Sequence, residues 1–273
     1  VKQSRWWQRA LTGLVLFGLC GQAAATAFRL DALWPARITS IVLIAVGAIA
    51  VFLAIAENWG RKAAVTAAVA LMIVGSSSEI AGVLTGFPFG TYTYTENWWP
   101  TVLLPGGHPY PLVLPFAWAM MAGSAWLIAA DFVPRSTTPI LAAILATAAD
   151  FGMEPVMVKV HQYWIWPTGG PLLGVPVSNA LGWLGTTALA TLFIARSMKR
   201  EESSRFAGSK AGAHVLGMFL LMQSLLPGWH PDLEVRTGQM IMLMMAVCLV
   251  AWARVTFAAP DSTAHAAPKS ELA

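Results

Sequence analysis

Charge is scarce in this chain of 273 residues, of which only 11% are Asp, Glu, Lys or Arg. A soluble domain usually carries about 25%, so an ordinary water-exposed globule is excluded. Cysteine is nearly absent too. Cys20 and Cys248 both fall in apolar stretches, which leaves no disulfide framework and no Cys-based metal motif. Histidine is sparse and scattered: His108, His161, His214 and His230 form no close cluster, so no metal site is expected. No Gly-rich phosphate loop or Ser-centred nucleophile elbow occurs either.

What is there is apolar residue, 57% of the chain, with a mean hydropathy of +0.62. Windows near the roughly 20 residues that span a bilayer can be drawn at 11–28, 38–56, 63–84, 112–132, 139–159, 175–195, 213–229 and 238–257. The expectation is an all-α, polytopic transmembrane bundle of about eight spans. It forms one domain over 1–257, followed by a polar, Ala/Pro-rich, disordered tail at 258–273. Eight spans put both termini on one side, and thirteen of the 17 Lys and Arg residues then share it. Only Arg29, Arg37, Lys159 and Arg236 fall on the other. Positive charge marks the cytoplasmic face, which places both termini there, in a bacterial inner membrane. The same distribution disposes of a nucleic-acid partner, because the basic residues sit between spans and not in one patch. The first span also resembles a signal peptide ending in Ala23-Ala24-Ala25. Its removal would spoil the charge asymmetry, so a retained helix is expected.

Against that background three acids stand out inside predicted spans: Glu79, Asp150 and Glu154. A charged side chain at mid-bilayer costs about 2.5–3.5 kcal/mol on insertion scales, so such residues normally face a protein interior and act there. Asp150 and Glu154 are four apart, on one helical face. Topology puts Glu79 near the outer end of the third span, Asp150 mid-way along the fifth, Glu154 a turn further out, and Asn179 in the first turns of the sixth. Pro155 lacks an N–H and frees the carbonyl of Phe151, opening the helix beside the acids. The bland reading is a hydrogen-bonded clamp between helices. The functional reading is a proton-handling site, because desolvation disfavours a charged carboxyl and two neighbouring acids resist double ionisation. Asp150 lies deeper and drier, so it is the expected donor, with Glu154 handling water and Glu79 and Asn179 in support. Lys159 is the obvious counter-charge, or else it snorkels to the surface. Trp164, Trp166 and Trp183 near the acids offer faces that attract cations, although tryptophan is also ordinary interfacial decoration. The Thr85–Pro111 connection, without Lys or Arg, reads as an ordered cap, and its Trp98 and Trp99 read as an interfacial belt.

The stretches E-I-A-G-V-L-T-G-F-P-F-G-T-Y-T-Y (79–94), P-Y-P-L-V-L-P-F-A-W (109–118), D-F-G-M-E-P (150–155), W-I-W (164–166) and G-V-P-V-S-N-A-L-G-W (174–183) are specific in combination and order. Together they resemble the family of carotenoid-biosynthesis membrane proteins that includes the bisanhydrobacterioruberin hydratases. The likeness covers roughly residues 60–200, and it departs where family members often carry Asp in place of Glu154. It implies hydration of the terminal isopropylidene double bond of an acyclic carotenoid, without a redox cofactor. It also implies catalytic roles for Asp150, Glu154 and Glu79, and substrate contacts from Asn179, Trp164, Trp166, Trp183, Tyr92, Tyr94 and Trp118. The implied partners are a lipophilic polyene, the lipid bilayer and other enzymes of the pathway. A proton-coupled transporter uses intramembrane acids equally well, but no repeat of the spans is visible. A non-catalytic scaffold of a pigment-making complex is the third reading.

Overall fold

The computed structural model describes residues 6–28, 33–197, 205–225, 228 and 230–255. The expected tail at 258–273 and residues 198–204 of the charged 196–210 connection lie outside the described residues. Among those described, seven helices carry the fold: α1 (Trp6–Ala27), α2 (Leu33–Thr85), α3 (Leu114–Phe132), α4 (Thr138–Pro155), α5 (Val177–Ser197), α6 (Arg205–Leu225) and α7 (Leu233–Val255). Four stretches are long and apolar enough to cross a membrane: Arg37–Thr85, Thr138–His161, Val177–Arg196 and Leu233–Ala253. α1, α3 and α6 do not reach that mark, so the eight expected spans are not matched one for one. Large apolar side chains project outward at helical spacing, as a lipid-facing surface requires. Examples are Val65, Val69 and Ile73 on α2, Ile140 and Ile144 on α4, and Met240, Met244 and Val247 on α7.

At about 1.5 Å per residue, the 53 residues of α2 would run about 80 Å, far beyond the roughly 30 Å of bilayer hydrocarbon. Gly60 divides them. Its φ of 85° and ψ of 167° lie in a region open essentially to glycine alone, and the chain turns there between two helical arms. α3 is the opposite case, buried without a break from Trp118 to Ala129. Its run of Ala, Gly, Ser and Met lets α2, α4 and α6 close around it.

Strands appear where only a cap was expected. β1 (Thr93–Tyr94) pairs antiparallel with β4 (Trp164–Ile165), and β2 (Thr101–Leu104) pairs with β3 (His108–Pro111) in a hairpin. The β1–β4 register sets Tyr94 opposite Trp164 and Thr93 opposite Ile165. Side chains alternate across a strand, so Tyr92, Tyr94, Trp164 and Trp166 turn inward while Thr93 and Ile165 face out. Thr95 lengthens the tie, its backbone N–H donating to the Tyr163 carbonyl at 2.9 Å.

α4 ends as Pro155 leads one to expect. Beyond it the backbone loosens into a π-helical stretch, Val156–His161, which stops at Gln162 in the left-handed region. This brings the chain round so that β4 passes back across the end of α4.

Candidate active site

Glu79 sits on the last turns of α2, under the cap, and is buried. Tyr92 and Tyr94 donate their hydroxyls to its Oε2 at 2.5 and 2.7 Å, and Trp118 of α3 donates its indole N–H to Oε1 at 3.0 Å. One carboxyl thus draws together α2, α3 and the cap. Burial first, and then the neighbouring Glu79, push both phenols upward, so they remain O–H donors. The cap fits because a glycine faces it from a neighbouring helix. A Cβ on Gly182 of α5 would collide with the ring of Phe89, which is buried against that helix. Ser178 fastens the same spot by donating to the Phe89 carbonyl at 2.8 Å.

Asp150 and Glu154 face inward from α4, and both are buried. Glu154 Oε2 accepts indole N–H groups from Trp164 at 3.0 Å and Trp166 at 3.1 Å. Asn179, on the first turn of α5, spans the two acids. Its Nδ2 donates to Asp150 Oδ2 and to Glu154 Oε1, each at 2.9 Å. Glu154 therefore receives three N–H donors, none of which can accept a proton in return, the surroundings of an ionised carboxylate. Asp150 receives one, and its buried Oδ1 has no partner within the protein.

All three acids line one cavity of about 50 Å³. Water needs roughly 10–15 Å³ per molecule on this scale, so there is room for several waters. The other walls are aromatic and thioether. Trp118 and Trp183 stack with centroids 4.2 Å apart, Tyr92 lies 5.0 Å from Trp166, and Met120, Met121, Met153 and Met157 also line the space. The arrangement offers a proton, a carboxylate and π-faces for a positive charge, in a space lined mostly by buried side chains.

Each site residue expected from the sequence reaches this cavity: Glu79, Tyr92, Tyr94, Trp118, Asp150, Glu154, Trp164, Trp166, Asn179 and Trp183. The structure adds Phe89, Trp98 and Tyr163. Trp98 corrects the belt reading. It is 6% exposed and stacks on Tyr163 at 5.0 Å, whereas Trp99 is 64% exposed. Lys159 is no counter-charge to the acids. Its ammonium pairs with Asp232 at 2.9 Å and Glu234 at 2.5 Å, about one-third exposed. His161 stays off the cavity, buried beside Gln223 and stacked on Tyr163. Among the described residues, no group of three or more His, Cys, Asp or Glu gathers at metal-binding spacing.

The family described as carotenoid biosynthesis protein matches residues 39–252, which takes in every helix that builds the cavity. The chain is also 33% identical over 136 residues to the bisanhydrobacterioruberin hydratase of Haloarcula japonica, across 46% of this chain and 43% of that protein. The match thus spans less than half the length of that relative. No solved structure matches the chain.

Proposed function

The chain belongs to the carotenoid biosynthesis protein family, and from that premise we propose that it is a hydratase acting on the terminal isopropylidene double bond of an acyclic carotenoid. The observation that carries the reading is the unequal pair on α4: an Asp150 oxygen without a partner, beside a Glu154 saturated with N–H donors. The name of the Haloarcula relative supports the same reaction class.

In this reading Asp150 holds a proton and delivers it to the alkene CH carbon. The π-bond breaks, and its electrons form the new C–H bond. The neighbouring carbon becomes a tertiary cation, against which the stacked Trp118 and Trp183 and the carboxylates of Glu79 and Glu154 are set. Water forms the C–O bond, and its proton passes to Glu154 through the lone pairs that Asn179 and the indoles leave open. The product is a tertiary alcohol, and the sum of the steps is alkene plus water. The roles proposed here are the ones the sequence led us to expect: Asp150 as donor, Glu154 as acceptor, and Glu79 and Asn179 as supports. Tyr92, Tyr94, Trp164 and Trp166 both enclose the end group and hold the carboxylates in place.

Expression in a host that accumulates an acyclic carotenoid tests this. The pigment should gain the mass of one water per reacted end. Unchanged pigment beside abundant folded protein would contradict the proposal and favour transport or scaffolding.

We also propose eight spans with both termini in the cytoplasm of a bacterial inner membrane, Gly60 turning the chain between the second and third. Reporter fusions after Ser204 and after Trp98 should then lie on opposite sides, and finding them on one side would overturn this topology.

A further inference from the structure

The acid pair has a second side. Behind it, between α4 and α5, lies a separate cavity of about 10 Å³, walled by Thr147, Asp150, Glu154 and Asn179 and closed by Leu172 and Pro176. That is about the space one water requires. Thr147, Asp150 and Glu154 stand at i, i+3 and i+7 on α4, so one helical face presents all three. Two buried polar atoms on residues of this wall, Thr147 Oγ1 and Asp150 Oδ1, have no hydrogen-bond partner within the protein. A mid-helix threonine commonly bonds back to the carbonyl four residues before it, and Thr191 does so to Thr187 at 2.6 Å. Thr147 does not. Buried groups of this kind are rarely left unmet, and a bridging water is the usual partner.

We propose that this cavity is a binding site for a single water, held by Thr147 and the two carboxyls, which resets the acid pair between turnovers. The role rests on the hydratase reading above. Each turnover leaves Asp150 without its proton and Glu154 with an extra one. Asn179 cannot carry it back, since its amide group only donates to both carboxyls. A water touching both can: it takes the proton from Glu154 as it gives another to Asp150. One O–H bond breaks and one forms at each carboxyl, and the water is unchanged. The closing segment suits replenishment from outside, because Leu172 and Val175 bridge across a short turn in which Gly174 adopts a positive φ of 84°. Alkene and water thus approach the acids from opposite sides of one wall.

Thr147→Val removes the hydroxyl at nearly constant shape, and Thr147→Ser keeps it. Product is counted after quenching in two regimes, enzyme in excess for one turnover and an acyclic polyene in excess for many. For Thr147→Val the single-turnover rate should stay within about twofold of the parent. Its steady-state rate should fall about tenfold, the order expected when one hydrogen bond to a working water is lost. Thr147→Ser should restore it, and kcat/KM for the polyene should hold in both, because the slowed step follows product formation. An unchanged steady-state rate in Thr147→Val overturns the water site. So does an equal loss in both regimes, or an equal loss in both variants, which would make Thr147 a packing or chemical-step residue. Parent protein that forms no alcohol even with enzyme in excess overturns the hydratase reading, and the resetting role with it.

Discussion

Glu79 and Glu154 are two answers to the same problem, a carboxyl group buried in an apolar bundle. Each collects three donors, and each uses tryptophan N–H groups and an aromatic strand of the cap or its partner. The difference lies in the kind of donor. Two of those around Glu79 are phenols, which can turn and accept, whereas all three around Glu154 are N–H groups, which cannot. The donors around Glu154 therefore favour its ionised form at rest, while Glu79 keeps freedom to share a proton. Asp150, with a single donor, is the member of the group best placed to hold a proton and release it. The proton transfers proposed for the cavity follow this count of donors.

Substitutions that alter the donor count test this ordering. Asp150→Asn keeps shape and burial but removes the labile proton, so hydration should fall by about 10²–10⁴-fold, as for loss of a general acid. Product measured at equal amounts of folded protein checks it. Glu154→Gln places an amide among three N–H donors and leaves at least one unmet, at a cost of about 1–3 kcal/mol in stability. Its loss of rate should be smaller than that of Asp150→Asn, because capture of a cation by water is the easier step. The reverse order, with Asp150→Asn active and Glu154→Gln dead, would exchange the two roles. Tyr94→Phe is the mildest change. Glu79 keeps two donors and the cap keeps its β1–β4 pairing, so stability should drop by about 1–2 kcal/mol with turnover within a few-fold of the parent. Thermal unfolding in detergent, set beside turnover, reads both.

Much of this site was legible before any coordinates, and the reason is physical. Acids inside apolar spans are rare because they are costly, so Glu79, Asp150 and Glu154 announce themselves, and helical spacing then puts two of them on one face. The break in the helix after Glu154 follows from the missing N–H of Pro155. The strands were harder. The signal was present as period-two alternation in T-Y-T-Y and W-I-W, but the segments are so short that a hydropathy scan passes over them. Without β1 and β4, nothing in the sequence tells Trp98 from Trp99, and one faces the cavity while the other faces out. Lys159 illustrates the other blind spot. Its partners, Asp232 and Glu234, lie more than seventy residues further along the chain. Its hydrogen bond holds the Asp232 carboxyl below the usual range.

In the proposed reaction the elements of water add across one double bond, the hydrogen by way of a carboxyl group and the oxygen from a water molecule. The most direct test supplies the purified protein, in lipid, with an acyclic carotenoid in deuterium oxide and, separately, in water labelled with heavy oxygen. The account predicts one non-exchangeable deuterium on the carbon next to each new tertiary alcohol, and the alcohol oxygen drawn from water. An alcohol that carries no deuterium at that carbon, or whose oxygen does not come from water, would contradict it.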